Sequence, residues 1–179
     1  IGKAQHFLIG GGIANTLLYA KGSDIGASLC EKDLKDSVQE IIKHCELPED
    51  VVIAKEPSDE VETKNTSASQ VSGDWKILDI GEKTIQKYTE IIQKSKTIFW
   101  NGPMGLTEFR PFQNGTQKIA EAIASCPDCT SIIGGGDSAE IIKNLGFTEE
   151  QFTHISTGGG ASLEFLSGKE LPGLKVLYG

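Results

Sequence analysis

The segment Ile-Gly-Gly-Gly-Asp-Ser at 133–138 has residue types and a spacing that could bind a phosphorylated ligand. Glycines adopt positive φ values readily, and without a Cβ they let backbone N–H groups approach an anion closely. The apolar pattern that follows predicts a helix, whose first N–H groups favour negative charge. Asp137 could hold a phosphate-bound Mg²⁺, directly or through water. One such turn is weak evidence, because many glycine-rich turns are only tight loops.

Three further segments repeat this arrangement at the end of a predicted strand. Glycine triplets occupy 10–12 and 158–160, and the segment Asn-Gly-Pro-Met-Gly occupies 101–105. The carboxyl ends of parallel strands meet at one edge of a sheet, where α/β proteins bind their ligands. Since these turns contain almost no Lys or Arg, we expect phosphates to be held through backbone N–H groups, helix dipoles and Mg²⁺.

The composition argues against several classes of function. With 179 residues, the chain is long enough to bury the core of one domain. A net charge of −8 and a pI near 4.9 argue against nucleic-acid binding, which needs clustered Lys and Arg. The sequence has no apolar run of about 18 residues, so we expect no membrane span.

The four cysteines raise the question of a metal or redox site. Cys126 and Cys129 have the CxxC spacing. A zinc site needs two more ligands at a similar spacing, and neither the other cysteines nor the three histidines provide such a pair. We prefer the interpretation that these are reduced thiols of a cytoplasmic protein, and a functional thiol site is the alternative.

Strand and helix patterns alternate along the chain, which predicts an α/β fold. More precisely, we expect a three-layer α/β/α sandwich with a mainly parallel, Rossmann-like sheet, forming one domain over residues 1–179. The all-apolar run at 51–54 is typical of a strand inside a parallel sheet. Residues 55–75 indicate a surface excursion, with room for an edge strand. The other predicted strands end at the glycine-rich turns, and the predicted helices include 33–46, one from 81 to 92, one from 116 and one from 138.

Several residues are placed to begin or end these helices. Gly22 can end the first helix as a residue with positive φ. Thr116 can cap the helix that carries Ile119 and Ile123. Thr148 and Gln151 have the spacing of a capping box, which predicts a short helical turn before the last strand.

The segments at 100–105, 133–138 and 154–166, together with Gly-Lys-Glu-Leu-Pro-Gly at 168–173, resemble phosphoglycerate kinases. They stand in that family's order and approximate spacing, and the resemblance covers essentially the whole chain. It implies most of the C-terminal, nucleotide-binding lobe of a two-lobed glycolytic enzyme. Such enzymes transfer the acyl phosphate of 1,3-bisphosphoglycerate to Mg-ADP, which gives 3-phosphoglycerate and ATP.

The resemblance also implies which residues contact the nucleoside and line its cleft. Gly11 and Gly12 would flank the adenine, and Glu108 would bind the ribose hydroxyls. The apolar contacts and the cleft lining would come from Leu29, Ile77, Leu78, Leu106, Asn101, Gly102 and Pro103. Two positions depart from the family pattern: Ile77 stands where a glycine is common, and Thr107 replaces an aromatic residue, which could loosen that loop.

For the phosphates, the resemblance implies a second set of residues. Asp137 would bind the metal, and Gly135, Gly136 and Ser138 would meet the nucleotide phosphates. Ser138 replaces the usual Thr but keeps the hydroxyl. The N–H groups of Gly158, Gly159 and Gly160 would face the transferring phosphoryl group and are the catalytic candidates.

The family's N-terminal lobe and its Gly-Gly-Ala-Lys segment have no counterpart in the sequence. Because the chain also lacks an initiator Met, we expect a fragment of a longer, two-lobed protein. The glycerate substrate, 1,3-bisphosphoglycerate or 3-phosphoglycerate, would be held by the absent lobe, so the fragment would bind ADP or ATP but be inactive alone. We expect a monomer. The alternative is a stand-alone, non-catalytic nucleotide-binding module.

Overall fold

The computed structural model describes residues 2, 4–156, 159–169 and 171. The chain divides into two compact units. The first unit comprises Ile1–Ile92 and Pro103–Ile119, and the second comprises Gln93–Gly102 and Ala120–Gly179. Each unit has its own buried residues and its own sheet elements.

The first unit contains a parallel strand pair, an antiparallel sheet and several helices. β1 pairs with β2 in parallel, and the three-stranded sheet has the order β4-β3-β5 with both pairings antiparallel. The elements in chain order are β1 (Phe7–Leu8), α1 (Gly11–Ala20), α2 (Gln39–Ile42), β2 (Cys45–Glu46), β3 (Asp50–Ala54), β4 (Lys64–Ser67), β5 (Lys76–Ile80), α3 (Glu82–Ile92) and the first residues of α4 (Asn114–Ala124).

Local sequence explains where α1 ends. Gly22 has φ +98, and its N–H donates to Tyr19 O at 2.9 Å while Ser23 N–H donates to Leu18 O at 3.0 Å. These two bonds form a Schellman motif, which satisfies carbonyl groups in the last turn of a helix. The predicted role of Gly22 is therefore confirmed.

Helix α3 is fixed at its N-terminus by a carboxylate from a neighbouring strand. Asp50, which is buried at the start of β3, accepts the N–H groups of Thr84 at 2.8 Å and Lys83 at 3.2 Å. These N–H groups have no partner within the helix, so the carboxylate acts as its cap. Along the helix, Ile85 and Ile92 are buried, as the sequence pattern predicted.

Two sequence predictions for this unit are wrong. Residues 33–46 do not form one helix: a 3-10 turn (Lys32–Leu34), the four-residue α2 and β2 occupy this stretch. The strand at 51–54 is buried as predicted, but both of its neighbours are antiparallel. The prediction of a parallel sheet failed because an apolar run indicates burial on both faces and carries no information on strand direction. The predicted edge strand within 55–75 is present as β4.

The second unit contains a parallel sheet of order β6-β7-β8. The register pairs Asn101 with Gly134 and Gly134 with Ser156, so the last residues of all three strands lie in one row. Its elements are β6 (Thr97–Asn101), the later part of α4, β7 (Thr130–Gly134), α5 (Gly136–Asn144), β8 (His154–Ser156) and α6 (Gly159–Leu166). The strand predictions at 97–100 and 130–133 are confirmed.

A short 3-10 turn (Glu149–Gln151) precedes β8. Thr148 N–H donates to Gln151 Oε1 at 2.8 Å, which is the return bond of a capping box. The predicted short helical turn is therefore confirmed. Among the described residues, no helix is both long enough and apolar enough to cross a bilayer.

Candidate functional site

In the second unit, Gly135 occupies a position that only glycine fits. Its φ is +102, and its N–H donates to Ser156 O at 3.1 Å. A Cβ at this position would lie 2.9 Å from Asn101 Oδ1 and 3.4 Å from Ser138 Oγ. The turn after β7 is therefore fitted closely against the ends of both neighbouring strands.

Ser138 joins two of the glycine-rich loops. It is buried in the first turn of α5, and its Oγ accepts the N–H of Gly102 at 2.9 Å. Gly102 has φ +87, in the region that favours glycine. The hydroxyl thus holds the loop after β6, and its own hydrogen is free in this bond to donate to another acceptor.

The first turn of α5 combines free N–H groups with an exposed carboxylate. The first main-chain bond of the helix runs from Ala139 N–H to Gly135 O at 3.1 Å, so the preceding N–H groups lack helical partners. Asp137 is exposed, and among the described residues no hydrogen bond or ion pair of its carboxylate is found. Its side chain is therefore available to a ligand.

Asp137 fits a magnesium ion that arrives with a nucleotide. The described residues contain no cluster of three His, Cys, Asp or Glu side chains that could hold a metal by themselves. Mg²⁺ in nucleotide sites commonly keeps waters and is held by one or two carboxylates together with substrate phosphates. A single free carboxylate beside free helix N–H groups meets that requirement.

The last glycine triplet lies partly outside the described residues. Gly159 and Gly160 begin α6, whereas Gly158 is not among the residues that the structure describes. A Cβ built on Gly160 meets no atom within 4 Å, so the space beside it is open. Ser156 Oγ and Ser162 Oγ lie 2.9 Å apart and connect the end of β8 to α6.

In the first unit, the triplet at 10–12 is engaged with the segment 103–106. Gly11 has φ +59 and donates its N–H to Met104 O at 2.9 Å. A Cβ on Gly10 would lie 2.9 Å from Met104 Cα, so this glycine is needed for close approach. A Cβ on Gly12 meets nothing within 4 Å, which leaves open space at that position.

Two large apolar side chains of the first unit are exposed, one in α1 and one in the segment that follows it. Leu29 is 83% exposed and Ile13 is 67% exposed, although both are large apolar residues. The carbonyl of Leu29 accepts Asn15 Nδ2 at 3.3 Å, which ties the Leu29 backbone to α1. Exposed apolar side chains on an anchored backbone are suited to contact a flat apolar ligand.

The remaining nucleoside candidates are placed differently from one another. Leu106 N–H donates to Leu78 O at 2.8 Å, so these two belong to one hydrogen-bonded pair. Ile77 packs against the core of the first unit. Glu108 is exposed, and its carboxylate has no partner among the described residues. The carbonyl of Thr107 accepts Gln113 Nε2 at 2.7 Å, which anchors this loop despite the missing aromatic residue.

Comparison with known protein families identifies the family of this chain. The family model described as phosphoglycerate kinase matches residues 1–169. The chain belongs to the phosphoglycerate kinase family. The resemblance of the glycine-rich segments to that family is thereby confirmed.

Individual phosphoglycerate kinases match nearly all of this chain. The enzyme of Dictyoglomus turgidum is 51% identical over 182 residues, covering 98% of this chain and 46% of its own length. The enzyme of Corynebacterium jeikeium is 44% identical, and the match covers 98% of this chain and 45% of that enzyme. The chain therefore spans about half the length of these curated relatives.

Solved structures of phosphoglycerate kinases show the same fold. The structure from Coxiella burnetii superposes with a TM-score of 0.93 at 38% identity, and the match covers 99% of this chain and 47% of that one. The structure from Pyrococcus horikoshii gives a TM-score of 0.83 at 35% identity, with 99% and 46% covered. The predicted α/β class with a Rossmann-like nucleotide-binding lobe is confirmed.

Sequence reasoning missed the buried Asp79. It is 2% exposed, and its carboxylate accepts the N–H groups of Gly115 at 2.7 Å and Ile80 at 2.8 Å. Burial raises its pKa, these two bonds lower it and the nearby Glu82 raises it, which together give a pKa of about 7. The sequence signal that could have found it is an acidic residue in a predicted strand that is otherwise mainly apolar and that ends just before Gly81.

The role predicted for Thr116 is wrong. α4 begins at Asn114, so Thr116 lies inside the helix and is buried. Its Oγ1 accepts the N–H groups of Met104 at 3.0 Å and Gly105 at 3.4 Å. A hydroxyl near a helix start was correctly recognised, but its partners belong to the loop 103–106 rather than to its own helix.

The cysteines give no sign of a functional thiol. All four are free. Burial, and then the neighbouring Cys129, raise the pKa of the Cys126 thiol, which disfavours the reactive thiolate. The interpretation as reduced structural thiols fits these observations.

Proposed function

We propose that this chain binds Mg-ADP and Mg-ATP and supplies the nucleotide-binding part of a longer phosphoglycerate kinase. The observation that carries this proposal is the row formed by Asn101, Gly134 and Ser156 at the ends of three parallel strands, with Gly135 fitted between them. In α/β proteins, ligands bind at the carboxyl ends of the strands. Family membership gives the ligand its identity.

The second unit would bind the phosphates and the metal. The free N–H groups at the start of α5, including those of Gly136 and Ser138, would donate hydrogen bonds to phosphate oxygens. Asp137 would hold Mg²⁺, which neutralises charge on the phosphates when it is bound. Gly159 and Gly160, with Gly158 before them, would offer N–H groups to the transferring phosphoryl group.

The first unit would bind the nucleoside. Gly12 leaves open space, and Leu29 presents an exposed apolar surface, so both suit a contact with the adenine. The exposed Glu108 carboxylate would accept hydrogen bonds from the ribose hydroxyls. Leu78 and Leu106 would contribute through the loop that their mutual bond holds.

The whole protein would be a glycolytic phosphotransferase that moves a phosphoryl group between 1,3-bisphosphoglycerate and ADP. In-line transfer depends on positioning and on cations around the equatorial oxygens. This chain has a net charge of −8 and no basic side chain in the first turn of α5. Cations for the glycerate would therefore come from the other part of the longer protein. A cytoplasmic location and a monomeric state stay predictions.

Calorimetric titration of the chain with ADP, with and without Mg²⁺, tests the binding proposal. We expect Asp137→Ala to weaken Mg-ADP binding about tenfold and to change metal-free ADP binding little, because a charge-assisted contact contributes about 1.5 to 3 kcal/mol. The matched control is Glu140→Ala, which removes an exposed acid from the same helix. Equal losses with and without Mg²⁺ would refute the metal role of Asp137.

A coupled spectrophotometric assay tests the catalytic proposal. The chain alone should show no transfer from 1,3-bisphosphoglycerate to ADP, and addition of the remaining part of the longer protein should restore it. Tight Mg-ADP binding without restoration would favour the stand-alone nucleotide-binding module. Robust turnover by the chain alone would contradict the proposed division of roles.

A further inference from the structure

Asp79 lies at the base of the loop 103–106 in the first unit. Its carboxylate accepts Gly115 N–H near the start of α4 and Ile80 N–H in its own strand. A Cβ at Gly105 or at Gly115 would overlap Asp79 Oδ1. The carboxylate is therefore enclosed by backbone on two sides, in a space that exists only because both residues are glycines.

The same loop is held at three other points. Leu106 N–H donates to the carbonyl of Leu78, the residue before Asp79. Thr116, the residue after Gly115, accepts two N–H groups of the loop, and Met104 O accepts Gly11 N–H at 2.9 Å. One end of the loop is thus held by β5 and the other by α4. The Asp79 carboxylate links these two elements to each other.

We infer that Asp79 is a positioning residue for nucleoside binding, because its carboxylate sets the place of the loop 103–106 against β5, α4 and the Gly11 turn. This inference rests on the proposed nucleotide function. Because Asp79 is 2% exposed, we place its effect in the loop rather than in a direct contact with ligand. It acts through Leu106 and through the Gly11–Met104 bond, which belong to the proposed nucleoside site.

The ionised and protonated forms of Asp79 differ in what they can hold. A carboxylate accepts both N–H groups, whereas a carboxylic acid or an amide presents a donor at one of its two positions. Glu82 on α3 is the charged group that acts on Asp79. The other segments packed against Asp79 carry no charge: residues 103–106 and 112–116 have no ionisable side chain, and the residue paired with Asp79 on β3 is Val52. Loop order should therefore increase as Asp79 ionises.

The test compares Asp79→Asn with Asp50→Asn in the same chain. Asp50 is a similarly buried carboxylate, and its hydrogen bonds cap α3 at Lys83 and Thr84. The probe is adenosine, which has no group that titrates near neutral pH. Its affinity is measured by NMR titration at about pH 6 and about pH 8, on either side of the pKa of Asp79. Hydrogen exchange of the Leu106 and Gly115 amides is measured without ligand.

We expect the wild-type affinity for adenosine to rise about fivefold from the lower to the higher pH, since the loop gains the net contribution of about one ordinary hydrogen bond. Asp79→Asn should bind about fivefold more weakly at the higher pH, show no pH dependence and exchange both amides faster. Asp50→Asn should lower stability but leave affinity, its pH profile and these two amides unchanged. The wild-type pH series gives the answer even if Asp79→Asn folds poorly.

Three results would overturn the inference, and they can be told apart. If the wild type binds adenosine and Mg-ADP but Asp79→Asn keeps its affinity and pH profile, the positioning role is wrong and the proposed function stands. If the wild type binds neither ligand, the proposed function fails and this inference fails with it. A loss of affinity in Asp50→Asn equal to that in Asp79→Asn would show a general effect of stability and would also overturn the positioning role.

Discussion

The glycine turn of the first unit and that of the second unit share a motif but differ in what surrounds them. In each, a glycine with positive φ donates its N–H to a neighbouring backbone carbonyl: Gly11 to Met104 O, and Gly135 to Ser156 O. The residues that follow are different. The first turn leads to the exposed, apolar Ile13, and the second leads to an exposed acid and a buried hydroxyl.

This difference shows that the glycine triplet determines backbone geometry and that the next few side chains determine the ligand. A triplet alone suggested a phosphate site in each case. The N–H of the positive-φ glycine is consumed by protein in both turns, so any anion must be bound by later N–H groups. Only the second turn adds an available carboxylate, which suits a metal-bound phosphate, whereas the first suits an apolar base.

The largest effect that should separate the two units is the pH dependence of stability. Folding raises the pKa of Asp79 from 3.8 to about 7, so the folded first unit binds this proton more tightly than the unfolded chain. Its contribution to the free energy of unfolding is full below about pH 4, is lost as pH rises towards 7, and then stays constant. The total loss is on the order of 4 kcal/mol.

Urea unfolding at a series of pH values measures this effect, with hydrogen exchange in peptides of each unit as the probe of that unit's stability. Asp79→Asn should flatten the pH profile of the first unit between about pH 4 and 7 and leave that of the second unit unchanged. Asp50→Asn serves as the control, since it removes another buried acid of the first unit. A profile that stays steep in Asp79→Asn would assign the proton to a different group.

Alanine substitutions in the two triplets should change stability in opposite directions. Gly135→Ala should destabilise by about 2 to 3 kcal/mol, because a φ of +102 is strained for alanine and its Cβ would crowd Asn101. Gly12→Ala should stabilise by about 0.5 kcal/mol, because Gly12 lies in α1 and its Cβ meets no neighbour. Thermal unfolding of both variants measures the difference, and equal destabilisation would show that the two turns are equivalent.

A smaller effect should follow from Ser138→Ala. This change removes the acceptor of the Gly102 N–H and should cost about 1 kcal/mol, with weaker Mg-ADP binding and unchanged adenosine binding. Ser138→Thr keeps the hydroxyl and is the matched control. An equal loss of affinity for adenosine and Mg-ADP would place Ser138 in the nucleoside site instead.

The smallest effect concerns the apolar contact of the first unit. Leu29→Ala should weaken adenosine and Mg-ADP binding by about fivefold alike, since about 40 Å² of apolar contact contributes about 1 kcal/mol. Stability should not change, because the side chain is 83% exposed. Ile41→Ala, at an exposed apolar position of α2, should alter neither affinity. A Leu29 effect that requires Mg²⁺ would contradict the nucleoside assignment.

Local patterns in the sequence were sufficient where neighbours along the chain decide the structure. The apolar face of α3, the capping box at Thr148 and the glycine that ends α1 were all predicted and are present. The predicted helix over 33–46 failed because two residues of its apolar face stay largely out of the core: Leu34 and Ile41 are 40% and 44% exposed. Short helices without packing are marginal.

The contacts that define the candidate site join residues far apart in sequence. The bonds from Asp79 to Gly115 and from Gly102 to Ser138 each span 36 residues. No periodicity or spacing rule reports such pairs. The sequence could therefore indicate glycine turns and a free acid at 137, but it could not show that Ser138 holds a loop or that a buried carboxylate lies beneath residues 103–106.

The two tryptophans give the chain a built-in optical label for each unit. Trp75, in the first unit, is partly exposed and has the Lys64 ammonium 4.3 Å from its ring centroid. Trp100, in the second unit, is 5% exposed, and its indole N–H has no hydrogen-bond partner among the described residues. An indole in a dry, apolar setting fluoresces at shorter wavelength than one in contact with water and charge. Native emission should therefore contain a blue component from the second unit and a red component from the first, and a quencher dissolved in water should extinguish the red component first.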